Sequence, residues 1–217
     1  MNTELNSDAR RRGFAIPVII AGALSSVLLA FSMTPTFSAL AASIQNTVNT
    51  AGSGTLIMQE ADSTGLILCN STDGGSVSTN SATCATINSY GGNMAMVPGQ
   101  TVTTALTIKN TGTVTASAFT LAGGTCTQSN NGSANGSAND LCSKINLVIK
   151  SGSTTLFTGT AQAFATQNLN INSLLASAGV LPAATVPFSF AVTLDSSAGN
   201  TYQGLKVTQP MTFTFGA

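Results

Sequence analysis

The sequence predicts an all-β protein: a jelly-roll-like β-sandwich preceded by one N-terminal apolar helix that acts as a signal or transmembrane segment. Three observations carry this. Near the C-terminus, Val186, Phe188, Phe190, Val192 and Leu194 alternate with Pro187, Ser189, Ala191 and Thr193, and Leu205, Val207, Met211, Phe213 and Phe215 alternate with Lys206, Thr208, Pro210, Thr212 and Thr214. Period two over such lengths marks sheets with one buried face. About eight short apolar runs of this kind, separated by turn residues, suit a two-layer sandwich. At the other end, Arg10, Arg11 and Arg12 precede an uncharged, largely apolar run from Gly13 to Met33, followed by small residues. That order is the form of an export signal.

The chain thus divides into a signal peptide at 1–36, a candidate donor strand or linker at 37–53, and a β-sandwich domain at 54–217. From Phe14 to Met33 the run would measure about 30 Å as a helix, enough to span a bilayer core with the arginines on the cytoplasmic side. Cleaved or retained, it places the remainder outside: membrane-associated as precursor, then secreted or on the cell surface. The cleavage region covers Thr36, Phe37, Ala39 and Ala41, with Ala39-Leu40-Ala41 as the ordinary small-x-small site. Phe37, Leu40, Ile44 and Val48 follow helical spacing, yet Asn46-Thr47-Val48-Asn49-Thr50 favours extended chain. The segment reads as helix in the precursor and strand afterwards.

Gly52 and Gly54 break the chain before a first strand, Thr55 to Gln59. Leu66-Ile67-Leu68 reads as a short buried strand entering Cys69, and residues 70–80 as polar loop. Pro98-Gly99 turns into Thr101 to Lys109, with Val102, Leu106 and Ile108 on one face. After the Asn110-Thr111-Gly112 turn, Val114 to Leu121 forms a strand whose apolar phase slips near Ala118-Phe119, the mark of a bulge. Residues 128–140 hold a doubled Asn-Gly-Ser-Ala and read as low-complexity loop, their Asn-x-Ser triplets serving as turn chemistry. Ile145, Leu147 and Ile149 make the next strand, Ser151-Gly152-Ser153 a turn, and Thr154 to Thr158 another strand. Ser173 to Ala178 is the one short helix expected. In the last strand Pro210 has no N–H for a ladder, so that strand lies at an edge or is bulged there.

Beyond residue 36 the only charges are Lys109, Lys144, Lys150, Lys206, Glu60, Asp62, Asp73, Asp140 and Asp195. So sparse a charge does not oppose self-association, and no basic stripe exists to neutralise the phosphates of a nucleic acid. The chain has no histidine, which removes Ser–His and Cys–His nucleophile pairs and imidazole metal ligands. The lysines alternate with apolar strand residues and read as solvent-facing. Glu60, Asp62 and Asp73 could collect a calcium ion, but without EF-hand spacing they read as solvated loop acids. No enzyme activity and no cofactor is expected. The four cysteines, Cys69, Cys84, Cys126 and Cys142, read as disulfides in an exported chain. Of three possible pairings, Cys69–Cys84 with Cys126–Cys142 is favoured, each closing about 15 residues of Gly-, Ser- and Asn-rich chain for about 3 kcal/mol. A Cys₄ metal site, the competing arrangement, lacks a Cys-x-x-Cys hook.

Three pieces in order carry a family resemblance. They are the signal with Phe37-Ser38-Ala39 and then Gly54-Thr55-Leu56, Pro98-Gly99-Gln100-Thr101 running through Thr107 to Thr113, and Tyr202-Gln203-Gly204 ahead of the strand ending Phe213-Thr214-Phe215. The chain resembles the TasA/camelysin family of exported proteins processed by a SipW-type signal peptidase. The resemblance implies a jelly-roll subunit of extracellular biofilm-matrix or pilus-like fibres, cleaved just before Phe37. The freed segment, with Phe37, Leu40, Ile44 and Val48 as anchors, would add a strand to the next copy, so the partners are the chain itself and the peptidase. Strand addition gains main-chain hydrogen bonds along a sheet edge, with alternate side chains filling pockets. The four cysteines and low charge depart from the family pattern. Camelysin's metalloprotease label finds no histidine here. The alternative is a signal-anchored adhesin presenting the 70–80 and 128–140 loops.

Overall fold

The computed structural model describes residues 44–46 and 48–217; the expected signal helix and Thr36, Phe37, Ala39, Leu40 and Ala41 lie outside the described residues. The β-rich unit runs Gly52–Ala217. Its strands are β1 Met58–Asp62, β2 Leu68–Asn70, β3 Thr101–Asn110, β4 Ala118–Gly123, β5 Thr127–Asn130, β6 Ile145–Ser151, β7 Thr154–Thr160, β8 Asn168–Asn170, β9 Thr185–Leu194, β10 Leu205–Thr208 and β11 Met211–Gly216. Three one-turn helices, α1 Leu141–Lys144, α2 Ala161–Phe164 and α3 Ile171–Leu174, sit between strands.

Every strand pairing is antiparallel. One sheet has the order β2-β1-β3-β9-β6-β7, and two smaller ones are β11-β4-β8 and β10-β5. The small sheets are continuous in chain. β4 passes through residues 124–126 into β5, opposite β10 passing through Gln209-Pro210 into β11, so Met211 faces Gly123 and Thr208 faces Thr127. Pro210 interrupts the ladder between two paired stretches, as its missing N–H requires.

Alternation explains the core. Leu106 and Ile108 of β3, Phe188 and Phe190 of β9, Leu147 and Ile149 of β6, and Phe119 and Leu121 of β4 are all buried. The two layers meet through aromatic rings: Phe119 lies 5.8 Å from Phe188 edge-on, and Phe188 lies 5.1 Å from Phe213. Edge-to-face contacts of this kind add about 1 kcal/mol each beyond the area they bury.

Several local expectations are corrected. The first strand begins at Met58, so Glu60 and Asp62 are strand residues and not loop acids. Leu66, Ile67 and Leu68 are exposed at a hairpin tip, the strand itself being Leu68–Asn70. A continuous apolar run has no period to distinguish burial from exposure. Instead of a bulge, the chain breaks before β4. Ala116 makes an isolated bridge to Val180, and Phe119 starts a new phase. The 128–140 loop begins with strand β5, paired to β10. The helix expected at Ser173 to Ala178 is shifted to Ile171–Leu174, where the Asn170 side chain accepts from Ser173 N–H, and two further helical turns accompany it.

Asn110 anchors the end of β3. It is fully buried; its Nδ2 donates to Val114 O and Val180 O at 2.8 and 2.9 Å, and its Oδ1 accepts from Gly112 N–H at 2.9 Å. Gly112 itself admits no Cβ, which would stand 2.3 Å from Thr55 O. Asn110→Leu keeps the volume and strands Gly112 N–H and Val114 O. At about 1–3 kcal/mol per orphaned group, a loss of about 3 kcal/mol is expected by urea unfolding.

Candidate functional site

Among the described residues the outer edge of the β10–β11 strand is unpaired. β11 pairs with β4 and β10 with β5, and no backbone hydrogen bond joins their other side to any described residue. From Leu205 to Gly216 this is about 40 Å of open ladder at ~3.3 Å per residue. Sheet edges of that length are normally blunted, because they template pairing with another chain.

Beside this edge lies a groove of about 1230 Å³. Leu56 and Met58 from the β1 segment form one wall, and Met211, Phe213 and Phe215 from β11 form the other. All five pack against the core while remaining partly open. Ile87 and Tyr90 close one side, and the Tyr90 hydroxyl donates to the Gln209 side-chain oxygen at the β10–β11 kink. Gln209 Nε2 in turn donates to Gly124 O at 2.8 Å and Ala161 O at 2.9 Å, so the kink is held from both layers. Asn131 Nδ2 bonds Met94 O at 2.8 Å and ties down the far rim.

The groove carries two charged side chains, Glu60 and Lys206. Glu60 follows Leu56 and Met58 on the same face of the chain and stands opposite Ile108 of β3. Burial pushes its carboxyl above the usual glutamate range. An acid whose folded pKa is raised binds more protons folded than unfolded. Stability therefore falls as pH rises from the ordinary glutamate pKa to the raised one, and the penalty persists above it. Glu60→Gln should remove that slope and leave the protein more stable at neutral pH, read from unfolding midpoints across pH 4–8.

The other acids are engaged locally. Asp62 Oδ1 accepts from Leu66 N–H and Ile67 N–H at 3.1 and 3.0 Å, and Asp73 accepts from Asn70 N–H at 2.6 Å. The Thr64 hydroxyl, followed by the Ile67 and Leu66 N–H groups, holds the Asp62 carboxyl below its usual range. Among the described residues no group of three His, Cys, Asp or Glu could hold a metal. Lys144 Nζ donates to Ser197 Oγ at 3.0 Å, Lys150 is exposed, and Lys206 lines the groove. The cysteines are joined as Cys69–Cys84, which pins the 71–83 loop beside the groove, and Cys126–Cys142, which ties the β4–β5 passage to α1. Ile44 and Val48 are 99% and 80% exposed, while Phe37 and Leu40 lie outside the described residues.

Sequence reasoning missed the groove, although Pro210 marked its edge. The signal that could have found it is Glu60, a carboxylate where the alternation of Leu56 and Met58 calls for another apolar residue. No protein-family model matches the chain, and no curated protein does.

Proposed function

We propose that the chain is a secreted structural subunit that assembles into extracellular biofilm-matrix or pilus-like fibres by lending residues 37–53 as a strand to the β11 edge of the next copy. The observation that carries this reading is the open β10–β11 edge over an apolar groove. A jelly roll has two layers of strands. Here the larger layer holds six strands and the smaller three strand positions, β10–β11, β4–β5 and β8. We read the smaller layer as able to take one more strand, beside β11. Residues 37–53 carry no charge and have large apolar side chains at Phe37, Leu40, Ile44 and Val48. Burying each of Leu40, Ile44 and Val48, which share one face of an extended strand, would contribute about 2 kcal/mol, in addition to the main-chain ladder.

The direction of insertion separates a fibre from a closed pair. The segment joins the body where Thr55 N–H donates to Thr113 Oγ1 at 2.8 Å. That is the end at which β3 finishes and β4 begins, with Gly216 of β11 paired to Ala118. A donor antiparallel to β11, like every other pairing in the fold, enters at the Gly216 end and emerges toward Leu205. The body that lends it then stacks below, and the contact repeats head to tail as a filament. Parallel insertion would bring two Thr113 ends together and close a dimer.

Two disulfides suit an oxidising, extracellular location, and the expected SipW-type cleavage would free the segment from its membrane helix. Secreted chain lacking residues 37–51 is expected to remain monomeric by electron microscopy and light scattering under conditions where the intact chain forms fibres. Identical fibres from the shortened chain would overturn the reading. The mature N-terminus, read by mass spectrometry, separates it from the anchored adhesin, which would keep Met1.

A further inference from the structure

The groove wall contains a feature that pure apolar docking leaves unexplained. Along the β1 segment the face toward the groove reads Leu56, Met58, Glu60. Glu60 lies across from Ile108 on one side and Cys69 on the other. Among the described residues no hydrogen bond or ion pair reaches its carboxylate, whose oxygens are not sealed from solvent. A strand laid over the groove would seal them. An unpaired carboxylate under cover costs several kcal/mol, so the occupant must bring a hydrogen-bond donor to it.

Between its anchors Leu40 and Val48 the candidate segment has one side-chain donor in the right row, with the hydroxyls of Ser38 and Thr50 beyond them. In an extended strand alternate residues share a face, so Leu40, Ala42, Ile44, Asn46 and Val48 point together. That row holds three of the four apolar anchors, and Asn46 is its one amide. Phe37 falls on the opposite row with Gln45, Thr47 and Asn49. No residue from 37 to 53 is charged, which leaves a carboxamide as the best available partner. Its Nδ2 group offers two hydrogens.

Resting on the donor-strand reading above, we infer that Glu60 sets the register of the incoming strand by accepting a hydrogen bond from Asn46 of the neighbouring copy. A slip of one residue would present the Gln45–Thr47–Asn49 row and turn Ile44 and Val48 outward. A slip of two would set Ile44 or Val48 against the carboxylate. One polar pair in an apolar seam thus specifies alignment, as a single buried Asn does in a coiled coil. The same contact makes the groove selective for its own kind of strand, because a wholly apolar segment would leave Glu60 bare.

A double-mutant cycle on the secreted chain tests this, using wild type, Asn46→Leu, Glu60→Leu and the double variant, with the critical concentration for fibre growth as readout. Asn46→Leu, which leaves the covered carboxylate unpaired, is expected to raise that concentration at least ~100-fold, and Glu60→Leu, which orphans the neutral amide, about tenfold. The double variant, apolar on both sides, should return to within about threefold of wild type. Glu60→Gln, which keeps an acceptor and the side-chain shape, should also assemble within about threefold, and thermal unfolding checks that each variant is folded. Additive losses in the double variant would overturn the pairing while leaving strand donation intact. Fibres that persist without residues 37–51 would overturn strand donation and the pairing together.

Discussion

Replacing Phe119 by alanine is expected to lower the unfolding free energy by about 4 kcal/mol, the range for a large aromatic truncated in a closed core. Phe119 is fully buried, and its ring sits 5.8 Å from Phe188, 6.1 Å from Phe213 and 4.8 Å from Phe215. It is the ring that touches both the larger layer and the strand beside the open edge. For a domain of this size the loss corresponds to a melting shift of about 8–16 °C, measurable by calorimetry. The effect should reach assembly as well. Phe213 and Phe215 rest on Phe119, so β11 loses the surface that holds its groove wall in place. A shift below ~3 °C would mean that the neighbouring rings collapse into the vacated space and that β11 is seated by its ladder to β4 alone.

How much of this was legible in the sequence follows from what each signal measures. β3, β6 and β9 were found nearly to their ends because alternation is a local property and their buried rows, such as Phe188, Phe190 and Val192, are unbroken. The break at Pro210 was legible for a different reason: a missing N–H restricts where a strand may lie whatever its neighbours. Leu66 to Leu68 failed because three adjacent apolar residues have no phase, and the hairpin tip that exposes them is set by Asp62 accepting from Leu66 and Ile67. β5 was hidden because Thr127 to Asn130 is polar and owes its pairing to β10 continuing past the kink. The groove was not legible at all from local pattern. It is defined by a pairing that does not occur, between an edge at the C-terminus and a wall near residue 58, and only topology brings those together. What the sequence did carry was each half of the proposed match: an uncharged segment with Phe37, Leu40, Ile44 and Val48, and a glutamate in the alternating row of Leu56 and Met58.

The expected behaviour of mixtures gives the sharpest measure of head-to-tail assembly. Met58→Glu places a second carboxylate on the apolar wall beside Glu60, facing a strand position that must be dry when filled. Met58 is only half-buried at the open groove, so the unassembled chain should fold with little change in stability. Covering the new charge without a partner costs about 3–5 kcal/mol, which weakens acceptance by at least ~100-fold. The variant can still donate its own strand. Added at a few per cent to the intact chain, it should therefore join filaments by donation and refuse the next donor, leaving one end dead. The chain lacking residues 37–51 has the opposite defect: it accepts and cannot donate. If filaments are polar, each variant shortens them when added alone, and the two together form a single heterodimeric contact that stops there, visible as a two-chain complex by light scattering. If insertion instead closes symmetric pairs, adding either variant changes the number of dimers and no filament length, and small-angle scattering of the intact chain alone would already show a species of fixed size at every concentration.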